Sequence, residues 1–496
     1  MNLYTFTNFI LCFKFNQIKL FLLFFSFSLT LNSQSTSLDD FFIKSSEQFY
    51  SSKYSKNGAQ RIDMYKDLIK NKNVGLVVNQ TSVINVLNSD NIFQKHVHLV
   101  DTLMNLDFVI NKIFSPEHGF KGSADAGAYV KDGKYRNIPI VSLYGNKKKP
   151  TSEDLQGIEI MIFDIQDVGV RFYTYISTLH YIMEACAENN IPLIVLDRYN
   201  LNRSYVDGPV LKSEYKSFVG MHPVPIVYGM TIGEYALMIN GEKWLKNNLQ
   251  CDLNIIEIQN LDNETQDSVL VTYVVTGFSH GDLTNALGNG LPEANYDTIV
   301  ETHAVSDTNE EFIAINGGHG QEFVEIIKIE PLFMFEKKLR IPPSPNLPNY
   351  LAISFYPSLC LFEGTSVSVG RGTGKPFQHF GSPYFPKSDY MFVPKPTYGA
   401  NLPKHINRIC YGYSTEKLID KFNKKGNLLI LDWLIKSYNI TSDKEEFFNS
   451  FFDKLAGSSE LKQQIKSGYS EKQIRESWQK DLISFKKTRS KYILYD

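Results

Sequence analysis

The sequence predicts a doubly wound α/β domain followed by a smaller α+β domain. Four apolar runs, rich in β-branched and aromatic residues, fit strands that are buried on both faces of a parallel sheet. These runs are residues 74–78, 108–114, 158–163 and 192–196. Between them lie helix-like stretches such as 172–188, where apolar side chains recur on one face. Strands that alternate with helices are typical of a parallel sheet covered by helices on both sides.

Polar residues follow each of the four predicted strands directly. The four polar segments are 79–82, 115–118, 164–167 and 197–200. Ligands of open parallel sheets bind beyond the carboxyl ends of the strands, so we expect these segments to meet at one site. Asn79, Asp197 and Arg198 are candidate binding residues on this basis. The alternative is that each segment is an ordinary polar loop.

The loop after the second predicted strand carries an acid and an imidazole between a proline and a glycine. These residues are Glu117 and His118, and Phe114 and Phe120 flank them. Proline fixes one backbone angle and glycine permits unusual ones, so the loop has a defined shape. A low-polarity setting favours a protonated carboxylic acid, as a general acid requires. The alternative is a turn with a solvated Glu117 and a His118 that caps the backbone.

The composition is that of a globular protein with room for two or three domains. The chain has 496 residues, of which 43% are hydrophobic and 21% are charged. The net charge of −2 gives no electrostatic argument for nucleic-acid binding.

The N-terminus has the pattern of a secretory signal peptide. Lys14 and Lys19 precede an apolar stretch at 20–31 that is too short to span a bilayer. We assign 1–33 to a signal peptide and 34–59 to a polar leader. The prediction is an exported bacterial protein, periplasmic or secreted, and the alternative is an uncleaved membrane anchor.

The cysteines indicate neither a disulfide framework nor a cysteine metal site. Cys12 falls in the predicted signal peptide, and the other four are far apart with no CxxC pair. Cys186 and Cys360 have apolar neighbours, so we expect both to be small buried side chains.

The second half of the chain has a different pattern, and we place a domain boundary near residue 235. The first domain is assigned to 60–235 and the α+β domain to 236–496. Two capping boxes open helices in this part of the chain, at Thr231 with Glu234 and at Ser470 with Gln473. The helix after Ser470 places four apolar residues on one face, which predicts a docking helix. These are Ile474, Trp478, Leu482 and Phe485.

The densest polar group surrounds the third predicted strand end. Asp164, Gln166 and Asp167 precede Arg171, whose guanidinium suits a carboxylate ligand. The helix that starts near Tyr173 offers backbone N–H groups to an anion. The alternative is an internal Asp–Arg pair that holds the loop.

A glycine-rich segment at 370–374 follows a second candidate carboxylate, Glu363. No Lys-Ser or Lys-Thr pair follows it as in a Walker A loop, and the GxGxxG spacing of a dinucleotide fingerprint is absent. We interpret it as a turn that brings Arg371 to a binding site. Glu363 is a candidate for the second carboxylate that glycosidases need.

We expect neither a metal nor a cofactor. A set of His118, Asp164, Asp167 and His222 has donor chemistry for a metal, but its spacing lacks the logic of a motif such as HExxH. No GxSxG elbow is present, which disfavours a serine hydrolase.

Short segments from about residue 60 to the end together match a known pattern. They are 75–82, 114–120, 142–145, 163–178, 195–200, 228–234, 343–348, 361–373, 376–377 and 452–457. Each segment is weak evidence alone, and the combination is specific. The chain resembles the exported bacterial exo-β-N-acetylmuramidases of peptidoglycan, a glycoside hydrolase family formerly of unknown function.

The resemblance implies a Rossmann-like N-terminal domain, a smaller C-terminal domain and an active-site cleft between them. It implies release of terminal N-acetylmuramic acid from the non-reducing end of peptidoglycan fragments. The expected partners are therefore peptidoglycan-derived saccharides, without nucleic acid and without stable membrane insertion after signal removal.

Residue roles also follow from the resemblance. Glu117 matches the catalytic glutamate of the family, which implies a general acid, with His118 to orient it. The lactyl carboxylate of N-acetylmuramic acid gives Arg171 or Arg371 a ligand. Asp164, Gln166 and Asp167 would orient the sugar or activate water. The second catalytic group stays open between a protein carboxylate and the acetamido group of the substrate.

One segment departs from the family pattern. Residues from about 261 to 336 separate a strand near 253–258 from the segment at 343–348, where the family has a short connection. Two interpretations are open, an inserted subdomain and an error in the gene model.

Two other functional classes remain open from the sequence. One is a non-catalytic protein that binds muropeptides. The other is a metal-dependent amidase or deacetylase that acts on cell-wall sugars.

Overall fold

The computed structural model describes most of the chain. The described residues are 56–87, 93–122, 132–259, 299–303, 312–317, 321–325, 341–415 and 429–495. The predicted signal peptide, nearly all of the polar leader and most of the expected insert lie outside them, so these assignments stay predictions. The contacts divide the chain into two compact units.

The described strands are distributed over four sheets. They are β1 (Val74–Val78), β2 (Val83–Leu87), β3 (Phe93–His98), β4 (Ile110–Ser115), β5 (Gly133–Tyr135), β6 (Ile138–Ser142), β7 (Ile160–Asp164), β8 (Leu193–Leu196), β9 (Leu253–Ile256), β10 (Ile299–His303), β11 (Phe312–Gly317), β12 (Gln321–Glu325), β13 (His379–Ser382), β14 (Met391–Phe392) and β15 (Cys410–Ser414).

A seven-stranded sheet forms the centre of the larger unit. Its order is β5-β6-β4-β1-β7-β8-β9, and every neighbouring pair is parallel except β5 with β6. Val77 of β1 pairs with Phe114 of β4 and with Phe163 of β7. The carboxyl ends of these strands therefore lie at the same edge of the sheet.

The helices of the larger unit precede, separate and follow these strands. They are α1 (Ile62–Ile69), α2 (Leu99–Asn105), α3 (Tyr175–Glu188), α4 (Ile232–Gly241), α5 (Tyr350–Leu359), α6 (Leu431–Ile440), α7 (Phe452–Ala456), α8 (Glu460–Lys466), α9 (Glu471–Ser477) and α10 (Gln479–Arg489). None of the helices in the described ranges has the length and apolarity needed to cross a membrane.

The central sheet is buried on both faces because successive side chains of a strand point to opposite sides. Val77 and Phe163 belong to one apolar cluster, together with residues of α3 and α4. Leu76 and Val78 belong to a second cluster, together with residues of α1 and α2. The continuous apolar runs of the sequence are explained by these two cores.

A smaller C-terminal part completes the larger unit. It contains the antiparallel sheet β13-β15-β14 and the helices α5 to α10. A 3-10 turn at Cys360–Gly364 follows α5 directly. A Cβ atom on Gly364 would lie 2.5 Å from the Cα atom of Phe452, so glycine is needed where α7 meets this turn.

The smaller unit contains β10, β11 and β12, which form an antiparallel sheet in chain order. All three strands fall within the segment at 261–336 that departs from the family pattern.

The structure confirms a mixed α/β protein with a largely parallel central sheet. All four predicted strands are present, with boundaries shifted by two residues or fewer, and the helix predicted over 172–188 begins at Tyr175. The predicted domain boundary near residue 235 falls inside α4. The central sheet continues beyond it, because β9 is its last strand. In β9 only the last residue, Ile256, is buried, unlike the continuous buried runs of β1, β7 and β8.

Both predicted capping boxes are confirmed, at Thr231 with Glu234 and at Ser470 with Gln473. The single helix predicted after Ser470 is wrong, because the chain forms two helices that meet at Trp478. The predicted docking face survives this break, since its four apolar residues are all buried. They are Ile474, Trp478, Leu482 and Phe485.

The two capping boxes predict different stability losses. Thr231 is buried, and its hydroxyl both accepts from Glu234 N and donates to Asp197 Oδ2 at 2.7 Å, whereas Ser470 is exposed. Thr231→Val should lower the free energy of unfolding by about 2–3 kcal/mol, and Ser470→Ala by about 1 kcal/mol. Urea unfolding of both variants measures this difference, and equal losses would contradict it.

Candidate active site

The loop after β4 holds Glu117 and His118 in an uncommon backbone conformation. His118 has φ of 68° and Gly119 has φ of 73°, both in the left-handed region. Gly119 N donates to the Pro116 carbonyl at 3.0 Å, which closes the turn. A histidine in this region is strained, and such strain is concentrated at functional sites. The sequence prediction of a shaped loop is confirmed.

Two hydroxyl groups fix the side chains of this loop. Thr174 Oγ1, just before α3, donates to Glu117 Oε2 at 2.6 Å. Ser344 Oγ lies 3.2 Å from His118 Nε2, and both of these residues are buried. Glu117 itself is half-buried. The carboxyl group thus has one oxygen tied to the protein while its side chain reaches the surface of a cavity.

A cavity of about 450 Å³ lies against this loop. Its volume suits a ligand of one or two sugar rings. The residues predicted from the sequence that line it are Glu117, His118, Tyr173, Glu363 and Arg371. Aromatic rings form much of the remaining wall, including Phe172, Tyr356 and Phe377.

Glu363 and Arg371 form an ion pair on the cavity wall. Arg371 Nε donates to Glu363 Oε1 at 2.8 Å, and the guanidinium lies 4.9 Å from the ring centroid of Phe377. Burial raises the pKa of Glu363, but Arg371 and Lys404 outweigh it and hold this pKa below its usual range. Glycines with φ of 78° and 79° flank Arg371 and shape its turn, as the sequence predicted. Glu363 is therefore an ionised carboxylate at neutral pH.

Asp164 and Arg198 do not reach the cavity, because they bind each other. Arg198 Nε and Nη2 donate to the two carboxylate oxygens of Asp164 at 2.6 and 2.9 Å. Both residues are buried. The alternative of an internal Asp–Arg pair holds for Asp164, with Arg198 rather than Arg171 as its partner.

Arg171 also lies away from the cavity wall, and its guanidinium binds backbone carbonyls. Its Nη atoms donate to Pro209, Val224 and Leu455 carbonyls at 2.7–2.8 Å. The side chain is fully buried, and burial lowers its pKa to about 9. The prediction that Arg171 binds a substrate carboxylate is not supported by this geometry, because both Nη atoms bind carbonyls of the protein and the whole side chain is buried away from the cavity.

Asp167 and Gln166 are buried behind the site. Gln166 Nε2 donates to the Asp167 and Tyr199 carbonyls at 2.8 and 2.6 Å. Asp167 Oδ2 accepts from Gly169 N at 2.7 Å and from the Tyr228 hydroxyl. Asp167 Oδ1 is buried and has no hydrogen-bond partner in the described part of the chain. Burial raises the pKa of Asp167 to about 6.

Asn79 and Asp197 support the strand ends. Asn79 Nδ2 donates to the Tyr175 hydroxyl at 3.0 Å. Asp197 accepts from Thr231 Oγ1, Gly233 N and the Tyr495 hydroxyl at 2.6–2.8 Å. Both are fully buried, so neither is placed to contact a ligand in the cavity.

The metal set considered from the sequence is dispersed. His222 is buried between the Tyr235 hydroxyl and His180, at 2.9 and 3.0 Å from its ring nitrogens, and burial lowers its pKa well below the usual value. Within the residues that the structure describes, no group of three or more His, Cys, Asp or Glu side chains could hold a metal ion. The four described cysteines are buried and free, which confirms the environment predicted for Cys186 and Cys360.

The sequence reasoning missed several residues of the cavity wall. They are Tyr144, Lys148, Thr174, Ser344, Asn346 and Tyr356. Tyr144, Thr174, Ser344 and Asn346 lie in segments that carried the family resemblance, so their position there was the available signal. Lys148 and Tyr356 gave no such signal.

The comparisons with known proteins agree with the resemblance. The family description "Exo-beta-N-acetylmuramidase NamZ, N-terminal" matches residues 74–277, and its C-terminal counterpart matches 354–495. The chain belongs to the NamZ family. Peptidoglycan beta-N-acetylmuramidase NamZ of Bacillus subtilis (strain 168) is 33% identical over 452 residues, which cover 87% of this chain and 89% of that protein.

Two solved structures share the fold of this NamZ family member. A DUF1343 family protein from Bacteroides fragilis NCTC 9343 is 34% identical, with a TM-score of 0.66 over 89% of this chain and 99% of that chain. A second DUF1343 family protein from the same organism is 24% identical, with a TM-score of 0.58 and the same coverage, and shows the fold alone.

The raised pKa of Asp167 predicts a pH-dependent stability. Its pKa rises from 3.8 to about 6 on folding, so the folded protein holds this proton more tightly than the unfolded chain. The resulting stabilisation is fully present below about pH 3.8 and is lost as the pH rises through about 6. Asp167→Asn, which imitates the protonated form, should therefore gain about 2 kcal/mol relative to the wild type between pH 4 and pH 7.

Urea unfolding at both pH values measures this change. The comparison with the wild type at each pH cancels the other titrating groups. A stability difference that is the same at pH 4 and pH 7 would show that Asp167 is ionised throughout.

Proposed function

We propose that this chain is an exo-acting glycoside hydrolase that releases terminal N-acetylmuramic acid from the non-reducing end of peptidoglycan fragments. Membership of the NamZ family is the observation that carries this proposal. The geometry supports it, because the family-matching Glu117 lies on a cavity of suitable size. The two other functional classes have no comparable support.

Glu117 is assigned the proton donor. Thr174 Oγ1 donates to Oε2 and so orients the carboxyl group that would transfer the proton. Transfer of this proton to the glycosidic oxygen lets the bond to the anomeric carbon break with a neutral leaving group. His118, held against Ser344, orients the loop that presents Glu117.

Glu363 is assigned the ionised carboxylate of the site. Arg371 and Lys404 keep it charged, as the stabilisation of an oxocarbenium-like transition state requires. Two carboxyl groups in different environments are the usual arrangement for acid and base roles in one site. Arg371 therefore keeps Glu363 ionised and also forms part of the cavity wall.

The sugar ring would lie among the aromatic residues of the wall. Tyr173 is fixed by its hydroxyl, which donates to the Pro343 carbonyl at 2.7 Å, so its ring is presented rigidly. The other candidate residues are buried and would support this wall without contacting the sugar. They are Asn79, Asp164, Gln166, Asp167, Arg171, Asp197 and Arg198.

Three further features belong to the same proposal. The sheet order and the helices on both faces support a Rossmann-like N-terminal domain. The cavity is lined by residues of both the N-terminal and the C-terminal parts, which supports an active-site cleft between them. Export to the periplasm or the medium rests on the N-terminal segment alone.

Glu117→Gln tests the assigned proton donor. The variant should lose at least about 100-fold in the rate of aglycone release from a chromogenic β-N-acetylmuramide, because the amide cannot supply the proton. The circular dichroism spectrum and unfolding midpoint should stay those of the wild type. Full activity in this variant would remove Glu117 from the mechanism, and binding without turnover by the wild type would favour a muropeptide-binding protein.

Thr174 is predicted to be a positioning residue for Glu117. Thr174→Val keeps the shape but removes the hydrogen bond to Oε2, so kcat should fall about 10- to 100-fold while KM changes little. Thr174→Ser retains the hydroxyl and should restore most of the rate. Equal losses in the Val and Ser variants would indicate a packing role instead.

A further inference from the structure

Three consecutive lysines lie beside the cavity, and the middle one differs from its neighbours. Lys147 Nζ contacts both carboxylate oxygens of Asp154 at 3.0 Å. Lys149 Nζ contacts Glu184 and Glu188 at 2.7 and 2.6 Å. Lys148 has no carboxylate partner among the described residues, and it lines the cavity.

An aromatic ring holds the Lys148 ammonium group in place. Lys148 Nζ lies 4.2 Å from the ring centroid of Phe218, within the range of a cation–π contact. Tyr181 stacks on Phe218 with centroids 6.3 Å apart, and Tyr144 packs against it at 6.1 Å. Phe218 and Tyr144 also line the cavity. The cation is therefore positioned before any ligand arrives, and less entropy is lost when an anion binds.

The other arginines and lysines near the site are less suited to bind an anionic ligand. Arg371 is paired with Glu363, and Arg171 is buried under three carbonyl groups. Lys404 donates to three carbonyls at 2.6–3.0 Å. Lys454 lines the cavity but is exposed, and no aromatic ring holds it among the described residues. Lys148 is the half-buried, positioned cation of this wall.

We propose that Lys148 binds the carboxylate of the lactyl ether of N-acetylmuramic acid and thereby selects muramides over glucosaminides. This inference rests on the proposed function, and it transfers to Lys148 the role that the sequence suggested for Arg171 or Arg371. N-acetylglucosamine has the same ring and acetamido group but no carboxylate. A charge-assisted hydrogen bond to Lys148 is available only to the muramide.

Lys148→Met tests this inference, since methionine keeps the apolar stem but removes the charge. The dissociation constant of free N-acetylmuramic acid, measured by calorimetry, should rise about 10- to 100-fold, whereas that of N-acetylglucosamine should not change. The KM for a chromogenic β-N-acetylmuramide should rise with a smaller change in kcat. Lys148→Arg keeps the charge and should retain a measurable preference for the muramide.

Two further variants separate Lys148 from other cations. Lys147→Met removes a neighbouring lysine whose partner is Asp154 and should leave the muramide preference unchanged. Lys454→Met removes the exposed cation of the same cavity. If Lys454→Met abolishes the preference while Lys148→Met keeps it, Lys148 is not the carboxylate ligand. Equal weakening of both sugars by Lys148→Met would likewise overturn the inference.

The calorimetric binding measurement tests this inference separately from the proposed hydrolysis. A wild type that binds N-acetylmuramic acid with a preference lost in Lys148→Met, but releases no aglycone, would reject the hydrolase and keep the Lys148 site. If the wild type releases the aglycone but Lys148→Met keeps the preference for the muramide, the hydrolase is supported and the Lys148 site is rejected.

Discussion

The carboxyl edge of the central sheet depends on the buried ion pair between Asp164 and Arg198. The carboxylate stands at the end of β7 and the guanidinium follows β8, and each side chain is 6% exposed or less. Loss of either partner would leave an uncompensated buried charge, which costs about 3–5 kcal/mol. Ser82, after β1, donates to the Asp164 carbonyl, and Gln166 N donates to Thr81 at 3.0 Å. Three strand ends are thus tied by their own polar groups, as buried polar atoms require.

Because the polar groups at these three strand ends bind one another, they are not available to a ligand in the cavity. The polar residues after β1, β7 and β8 bind one another or nearby backbone groups, so they form a rigid base rather than a ligand surface. The loop after β4 is different, because Glu117 and His118 line the cavity and are held by hydroxyls of Thr174 and Ser344. Arg171 extends the rigid base to the C-terminal part, since it joins Leu455 to Val224 and Pro209. A fixed base of this kind limits the movement of the loop that carries Glu117, the carboxyl group that we propose as the proton donor.

Sequence patterns predicted the parallel sheet and the special loop, because both depend on local features. Continuous apolar runs identify doubly buried strands, and a proline and a glycine around Glu117 identify a shaped turn. The patterns could not say which polar residues pair internally. Asp164, Arg171 and Arg198 look equally suited to a ligand in sequence, and only the three-dimensional arrangement shows that all three are buried and bind groups within the protein. Lys148 was missed for the converse reason, since a run of three lysines is typical of a solvated surface.

The distribution of cations explains how one cavity can hold two carboxyl groups with different roles. Glu363 comes from the C-terminal part and is adjacent to Arg371 and Lys404, which keep it ionised against the effect of burial. Glu117 comes from the N-terminal part, where a neutral hydroxyl holds one of its oxygens. Arg371 and Lys404 belong to the C-terminal part and Thr174 to the N-terminal part, so each of the two carboxyl groups has contacts within its own part of the protein. In the mechanism that we propose, a proton donor and an ionised stabiliser share one cavity, and each part of the protein supplies one of them.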